Sequence, residues 1–163
     1  IDIAAARRGV RYIPAHTILA KQGATLEIPM KRGKLIPDQL FALDYGGSFR
    51  VFMLEGDRGT EPIKSTAARK SLGRSIDQYL EVQETQLHKS HYGLKANMLV
   101  LWLFNSQRRQ HEFHEILKER SPNLQQSTLT KVANFGELPR LQSDTLFSDP
   151  WKRSLGSDFS LCD

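Results

Sequence analysis

The chain has 163 residues, 39% of them hydrophobic, which is enough for one sizeable core and shows no composition break that would mark a second. Its longest apolar run, Met98 to Phe104, is far too short to cross a bilayer, and the one cysteine, Cys162, excludes an internal disulfide or a cysteine-rich zinc site, so a soluble, cytoplasmic protein is expected. Lys and Arg outnumber Asp and Glu by 23 to 18, and the resulting +5 favours a polyanionic partner such as DNA, although this much basic charge also serves plain solubility.

Ile3 to Arg8 reads as a short helical stretch broken at Gly9, and Tyr12 to Lys21 has mixed apolar spacing that assigns no element. Thr25 to Ile28 is the first expected strand, ended by Pro29 and followed by the basic turn Met30-Lys31-Arg32-Gly33-Lys34. Leu35 to Leu43 and Phe49 to Asp57 are rich in strand formers, and Asp44-Tyr45-Gly46-Gly47-Ser48 between them has hairpin chemistry. After the tight exit Arg58-Gly59-Thr60-Glu61-Pro62, the stripe Ile63, Ala67, Leu72, Ile76, Leu80 and Leu87 predicts a long helix with a bend or break near Gly73, and His88 to Lys95 a loop. Met98 to Phe104 is continuously apolar, as a strand covered on both faces should be. Gln107 to Arg120 predicts an amphipathic helix with Phe113, Ile116 and Leu117 inward, stopped by Ser121-Pro122-Asn123, and Thr128 to Val132 a short strand. The order specifies an α/β fold, a mixed sheet flanked by helices over residues 1–138, with residues 139–163 expected to be an irregular tail, lying over it or partly disordered. Because the chain begins at Ile1 rather than methionine, a further N-terminal domain is expected upstream.

The chemistry concentrates on three carboxylates. Side chains alternate along a strand, so Glu55 and Asp57 share a face about 7 Å apart. If Asp44 pairs with Phe49 around the hairpin loop, Asp38 falls beside Glu55; if it pairs with Ser48, Asp38 falls beside Leu54. Facing carboxylates need solvent or a cation, and a hard ion such as Mg²⁺ takes one or two of them with water and phosphate oxygens. Acids that merely mark a strand end near solvent would give the same spacing.

The pattern Ile36-Pro37-Asp38, then Leu54-Glu55-Gly56-Asp57-Arg58-Gly59-Thr60-Glu61-Pro62 and a helix running to Gln78-Tyr79, resembles the replication-relaxation family of plasmid and mobile-element proteins. More distantly it is similar to the restriction-endonuclease-like PD-(D/E)XK superfamily. The first resemblance implies a DNA transaction, often with a winged helix upstream; the second implies a mixed sheet between helices and a Mg²⁺ site, with Asp38, Glu55 and Asp57 as ligands and catalytic carboxylates. The nuclease pattern carries a lysine two residues after Glu55, where this chain has Asp57. Lys64 and Lys70 on the following helix are the candidates to replace it, Lys70 being placed in the catalytic set. Lys31, Arg32, Lys34, Arg58 and Lys64 flank the acids and are the expected DNA contacts.

His111-Glu112-Phe113-His114 lacks the four-residue histidine spacing of a zincin, and a solvated helix face is the better reading; His88 and His91 are read as surface residues. The favoured expectation is a DNA-associated domain with a degenerate, non-catalytic nuclease-like site. The alternatives are a Mg²⁺-dependent DNA endonuclease and a protein-interaction module, the partner then being another protein or a second copy of the chain.

Overall fold

A computed structural model describes residues 5–59, 71–133 and 147–161. Its centre is a mixed six-stranded sheet in the spatial order β1 (Arg11–Pro14), β4 (Gln39–Asp44), β5 (Phe49–Asp57), β6 (Met98–Phe104), β7 (Thr128–Val132) and β8 (Lys152–Arg153). The middle of the sheet, β5, β6 and β7, is parallel, while β1, β4 and β8 join antiparallel. A two-stranded ribbon, β2 (Ile28–Pro29) with β3 (Lys34–Leu35), stands apart from it.

The helices are α1 (Ala15–Ala20), α2 (Leu72–Glu84), α3 (Leu87–Tyr92) and α4 (Gln107–Arg120). The β5–β6 crossover carries α2 and α3, and the β6–β7 crossover carries α4. Buried residues of all three pack with Val51, Met53, Val100, Trp102 and Phe104 in one cluster, so both crossovers lie on one face. Strands stepping in one direction require this if the two connections share a hand. Neither crossover reaches the other face, which is packed by segments nearer the two ends of the chain. There Phe41, Leu43, Phe52, Leu101 and Leu103 meet Val10 from the N-terminal side and Phe147, Trp151 and Leu161 from the C-terminal segment.

The continuous apolar run of β6 follows from this arrangement: even-numbered residues face the helices, odd-numbered ones the terminal segments, and no position is left for a charge. The hairpin pairs Asp44 with Phe49, the register that brings Asp38 toward Glu55. Its turn is tied by the Asp44 carboxylate, which accepts from the Gly47 N–H at 2.7 Å and from Arg11 of the neighbouring strand at 2.7 Å.

Several elements differ from expectation. The first strand is Arg11–Pro14, where apolar residues are too few for a period to show, and only Ile28 of Thr25–Ile28 enters a strand. The β4 ladder begins at Gln39 because Ile36-Pro37-Asp38 turns the chain from the ribbon into the sheet. Helix α2 starts at Leu72, where the Ser71 hydroxyl accepts from the Arg74 N–H, and Gly73 lies in its first turn against the Arg120 guanidinium. Ile63 and Ala67, the start of the predicted stripe, lie outside the described residues. The expected loop at His88–Lys95 is instead largely helix, with His88 and Tyr92 buried one turn apart and Gly93 ending it in the left-handed conformation. In the expected tail, Phe147, Trp151 and Leu161 are core residues and Lys152–Arg153 adds a strand; single aromatics between Ser, Asp and Pro leave no periodicity to read. No helix among the described residues is long and apolar enough to cross a membrane.

Hydrogen bonds from Gly47 and Arg11 hold the Asp44 carboxyl below its ordinary range. Its contribution to stability is therefore present above about pH 4 and is lost as pH falls through the lowered value. Urea midpoints measured between neutral and strongly acidic pH should fall less steeply for Asp44→Ala than for the parent chain; parallel curves would contradict this.

Candidate functional site

Glu55 and Asp57 occupy the carboxyl end of β5 on the face that packs the helices, continuing the series Val51, Met53. In an open sheet this edge, at the carboxyl ends of parallel strands, is where ligands are usually held. Neither acid is solvated: Glu55 is 5% exposed and Asp57 7%. Buried carboxylates need partners, and each finds one on a different crossover helix.

Glu55 accepts from the Tyr79 phenol of α2 at 2.5 Å. Burial, then the negative charge of Glu55, raises the Tyr79 hydroxyl well above its ordinary value, so it stays protonated and keeps donating. The ring is fixed edge-on to Trp102, 5.9 Å between centroids. Asp57 accepts from Arg109 Nε of α4 at 2.7 Å through one oxygen and from the Gly59 N–H at 2.7 Å through the other. Arg109 is itself 8% exposed and reaches Glu112 at 3.9 Å. Gly59 has φ +76°, and a Cβ there would lie 2.9 Å from the Asn105 amide, which donates to the Arg58 carbonyl at 2.7 Å, so glycine is required by both conformation and space.

Asp38 stands one step beyond the last β4–β5 pair, Gln39 with Leu54, and is exposed; its carboxylate accepts from the Gly56 N–H at 2.8 Å. The structure thus ties Asp38 to the backbone beside Glu55 and turns Asp57 to Arg109. Among the described residues no three His, Cys, Asp or Glu side chains are grouped so as to hold a metal ion. A protein cation takes the place at Asp57 where such an ion would need open oxygens.

One family model, described as replication-relaxation, matches residues 6–98, more than half of the chain. The chain belongs to the replication-relaxation family. No curated protein and no solved structure matches it. Within this replication-relaxation protein the matched region contains Asp38, Glu55, Asp57 and Tyr79, whereas Arg109 and everything after β6 lie beyond it.

Lys31, Arg32 and Lys34 are exposed on the β2–β3 ribbon, where Lys34 Nζ lies 2.7 Å from Glu27 and the Lys31 N–H donates to Glu81 of α2. Lys34 shares a shallow depression of 310 Å³ with Arg74 and Gln78 of α2. Arg58 is exposed just past β5. Lys64 and Lys70 lie outside the described residues. The sequence reading missed Tyr79 and Arg109. Tyr79 stands at the end of the family-like pattern and Arg109 in a basic pair, and nothing in their spacing marks either as a partner of the acids.

Arg109→Ala leaves a buried carboxylate unpaired and should cost about 3–5 kcal/mol in urea denaturation. Adding Asp57→Asn should recover a large part, and a double variant no more stable than the single would show that the pair is not coupled. Tyr79→Phe, which removes one hydroxyl from a charged acceptor, should cost about 1.5–3 kcal/mol.

Proposed function

We propose that this replication-relaxation domain associates with DNA during replication or mobilisation of a plasmid or other mobile element, and that its acidic edge is a degenerate, non-catalytic nuclease-like site on a restriction-endonuclease-like core. The observation that carries the non-catalytic reading is the buried Asp57–Arg109 pair. At the position where a nuclease would carry the lysine that orients water, this chain has an acid, and that acid is neutralised from the helix behind it rather than opened to solvent. Glu55 is likewise engaged by Tyr79, which leaves Asp38 as the exposed member.

DNA association is supported by the family and by exposed cations on one margin of the site: Lys31, Arg32 and Lys34 on the ribbon and Arg58 beyond β5, with Arg74 beside Lys34. Cations of this kind contact phosphates and position a duplex without reading its sequence. Binding through them releases counterions and weakens steeply with salt. Lys64 belongs to the same proposed set by its place in the sequence.

Gel-shift titrations at several salt concentrations should show DNA binding whose affinity falls as salt rises, and Lys31→Glu/Arg32→Glu should weaken it. Supercoiled plasmid incubated with Mg²⁺ or Mn²⁺ should stay intact. Metal-dependent nicking that disappears in Asp38→Ala would overturn the non-catalytic reading and support a Mg²⁺-dependent endonuclease. Absence of binding at low salt would instead leave a protein-interaction module.

A further inference from the structure

At the opposite margin of the sheet, α4, β7 and the segment around β8 enclose a cleft of 820 Å³, within the size range of small-ligand sites. None of its lining belongs to the acidic edge or the basic ribbon, and all of it lies beyond residue 98. Lys118, Lys131, Lys152 and Arg153 line it, against the single acid Glu115. Lys131 is partly engaged by Asp149. Lys118 and Lys152 are exposed. The lining contains no Phe, Tyr or Trp, so it offers charge and hydrogen bonds but no stacking platform for a base.

Two lining residues carry buried polar atoms without a hydrogen-bond partner, His114 Nδ1 and Arg153 Nε. Proton counting fixes the first. Thr130 Oγ1 gives its one proton to the Lys152 carbonyl and accepts from Gln110, so at the 2.9 Å contact His114 Nε2 must donate to it. Burial first, then the charge of Lys152, lowers the His114 value and keeps the ring neutral, which leaves Nδ1 a bare acceptor. Arg153 Nε–H is a buried donor while its guanidinium stacks on Phe159. Buried polar atoms are normally satisfied, and two orphans in one cationic cleft mark a place where a ligand completes the bonding.

We propose that this cleft binds a phosphate group, either the terminal phosphate of a nucleotide or nucleic-acid end or an internal phosphodiester. Phosphate oxygens accept from Arg153 Nε and the lysines. A singly protonated terminal phosphate also offers an O–H to His114 Nδ1, which a diester lacks, and this favours the terminal form.

The test is calorimetric titration of the whole chain with inorganic phosphate, with a 5′-phosphorylated oligodeoxynucleotide and with the same strand bearing a 5′-hydroxyl, all at matched ionic strength. Saturable phosphate binding is expected, weakened by about tenfold or more in Lys118→Glu/Lys152→Glu, whose exposed positions should tolerate the change. Lys21→Glu/Lys95→Glu, which changes net charge equally away from the cleft, should bind as the parent chain does. Preference for the phosphorylated strand identifies a terminal phosphate, and equal, variant-sensitive binding of both strands an internal one. Absence of saturable binding, or equal weakening by both double variants, would overturn the proposal. Lys31→Glu/Arg32→Glu should leave phosphate binding unchanged, so failure here and failure of DNA association through the ribbon are separable.

Discussion

Two carboxylates stand on the one strand face where hydrophobic side chains would be expected, and the rest of the structure is arranged to compensate them. Glu55 and Asp57 extend the inward series of Val51 and Met53. Placing a carboxylate there without a partner would cost several kcal/mol. Tyr79 answers the first from α2 and Arg109 the second from α4, so each acid fastens one crossover helix to the same end of β5. Apolar residues of similar volume could be as stabilising, but they would not specify which residue of each helix sits over which residue of the strand. The bonds therefore set register where hydrophobic contact alone allows sliding.

That constraint has something to act on because the surrounding core is apolar and continuous. Trp102 and Phe104 of β6 lie opposite Glu55 and Asp57 in the parallel ladder, and Phe113 of α4 packs against both rings at 4.8 and 5.1 Å between centroids. The ion pair is thus walled by aromatic side chains, where charge–charge attraction is stronger than at the surface and an unpaired charge correspondingly worse. On the far side of the sheet Phe41 stacks on Phe52 at 5.1 Å, so β5 is held on both faces just before its acidic end.

Local patterns make much of this legible in the sequence. The hairpin, the doubly covered β6, the α4 helix and β7 follow from apolar runs and turn residues that act over a few positions. The Asp44–Phe49 register is one of two allowed by the loop, and it points the start of β4, with Asp38 just before it, toward the acidic end of β5. The partners of the acids were not legible, because 24 residues separate Tyr79 from Glu55 and 52 separate Arg109 from Asp57. A tyrosine between Ile76 and Leu80 reads as core, and an arginine beside Arg108 reads as surface; only the packing of the helix onto the strand tells Arg109, 8% exposed, from its neighbour. The histidines diverged for the same reason. His111 is the solvated residue its surroundings suggest, while His114, one turn on, is turned to Thr130 of a strand that comes later in the chain.

Helix α4 connects the acidic end of β5 with the cationic cleft. Arg109, Phe113 and Leu117 form its buried stripe, while Gln110, His114 and Lys118 lie one position further round and line the cationic cleft. A helix is stiff over fourteen residues, so whatever fixes the rotation of one stripe fixes the other. The Asp57–Arg109 bond does this near the amino-terminal end of α4, and its direction sets where the His114 ring and the Lys118 ammonium stand relative to β7 and β8. A carboxylate engaged by an arginine on one stripe of the helix thereby fixes the orientation of the adjacent stripe. The acidic edge and the cleft are in this sense one mechanical unit, and the strength of the buried pair governs how well the cleft is preorganised.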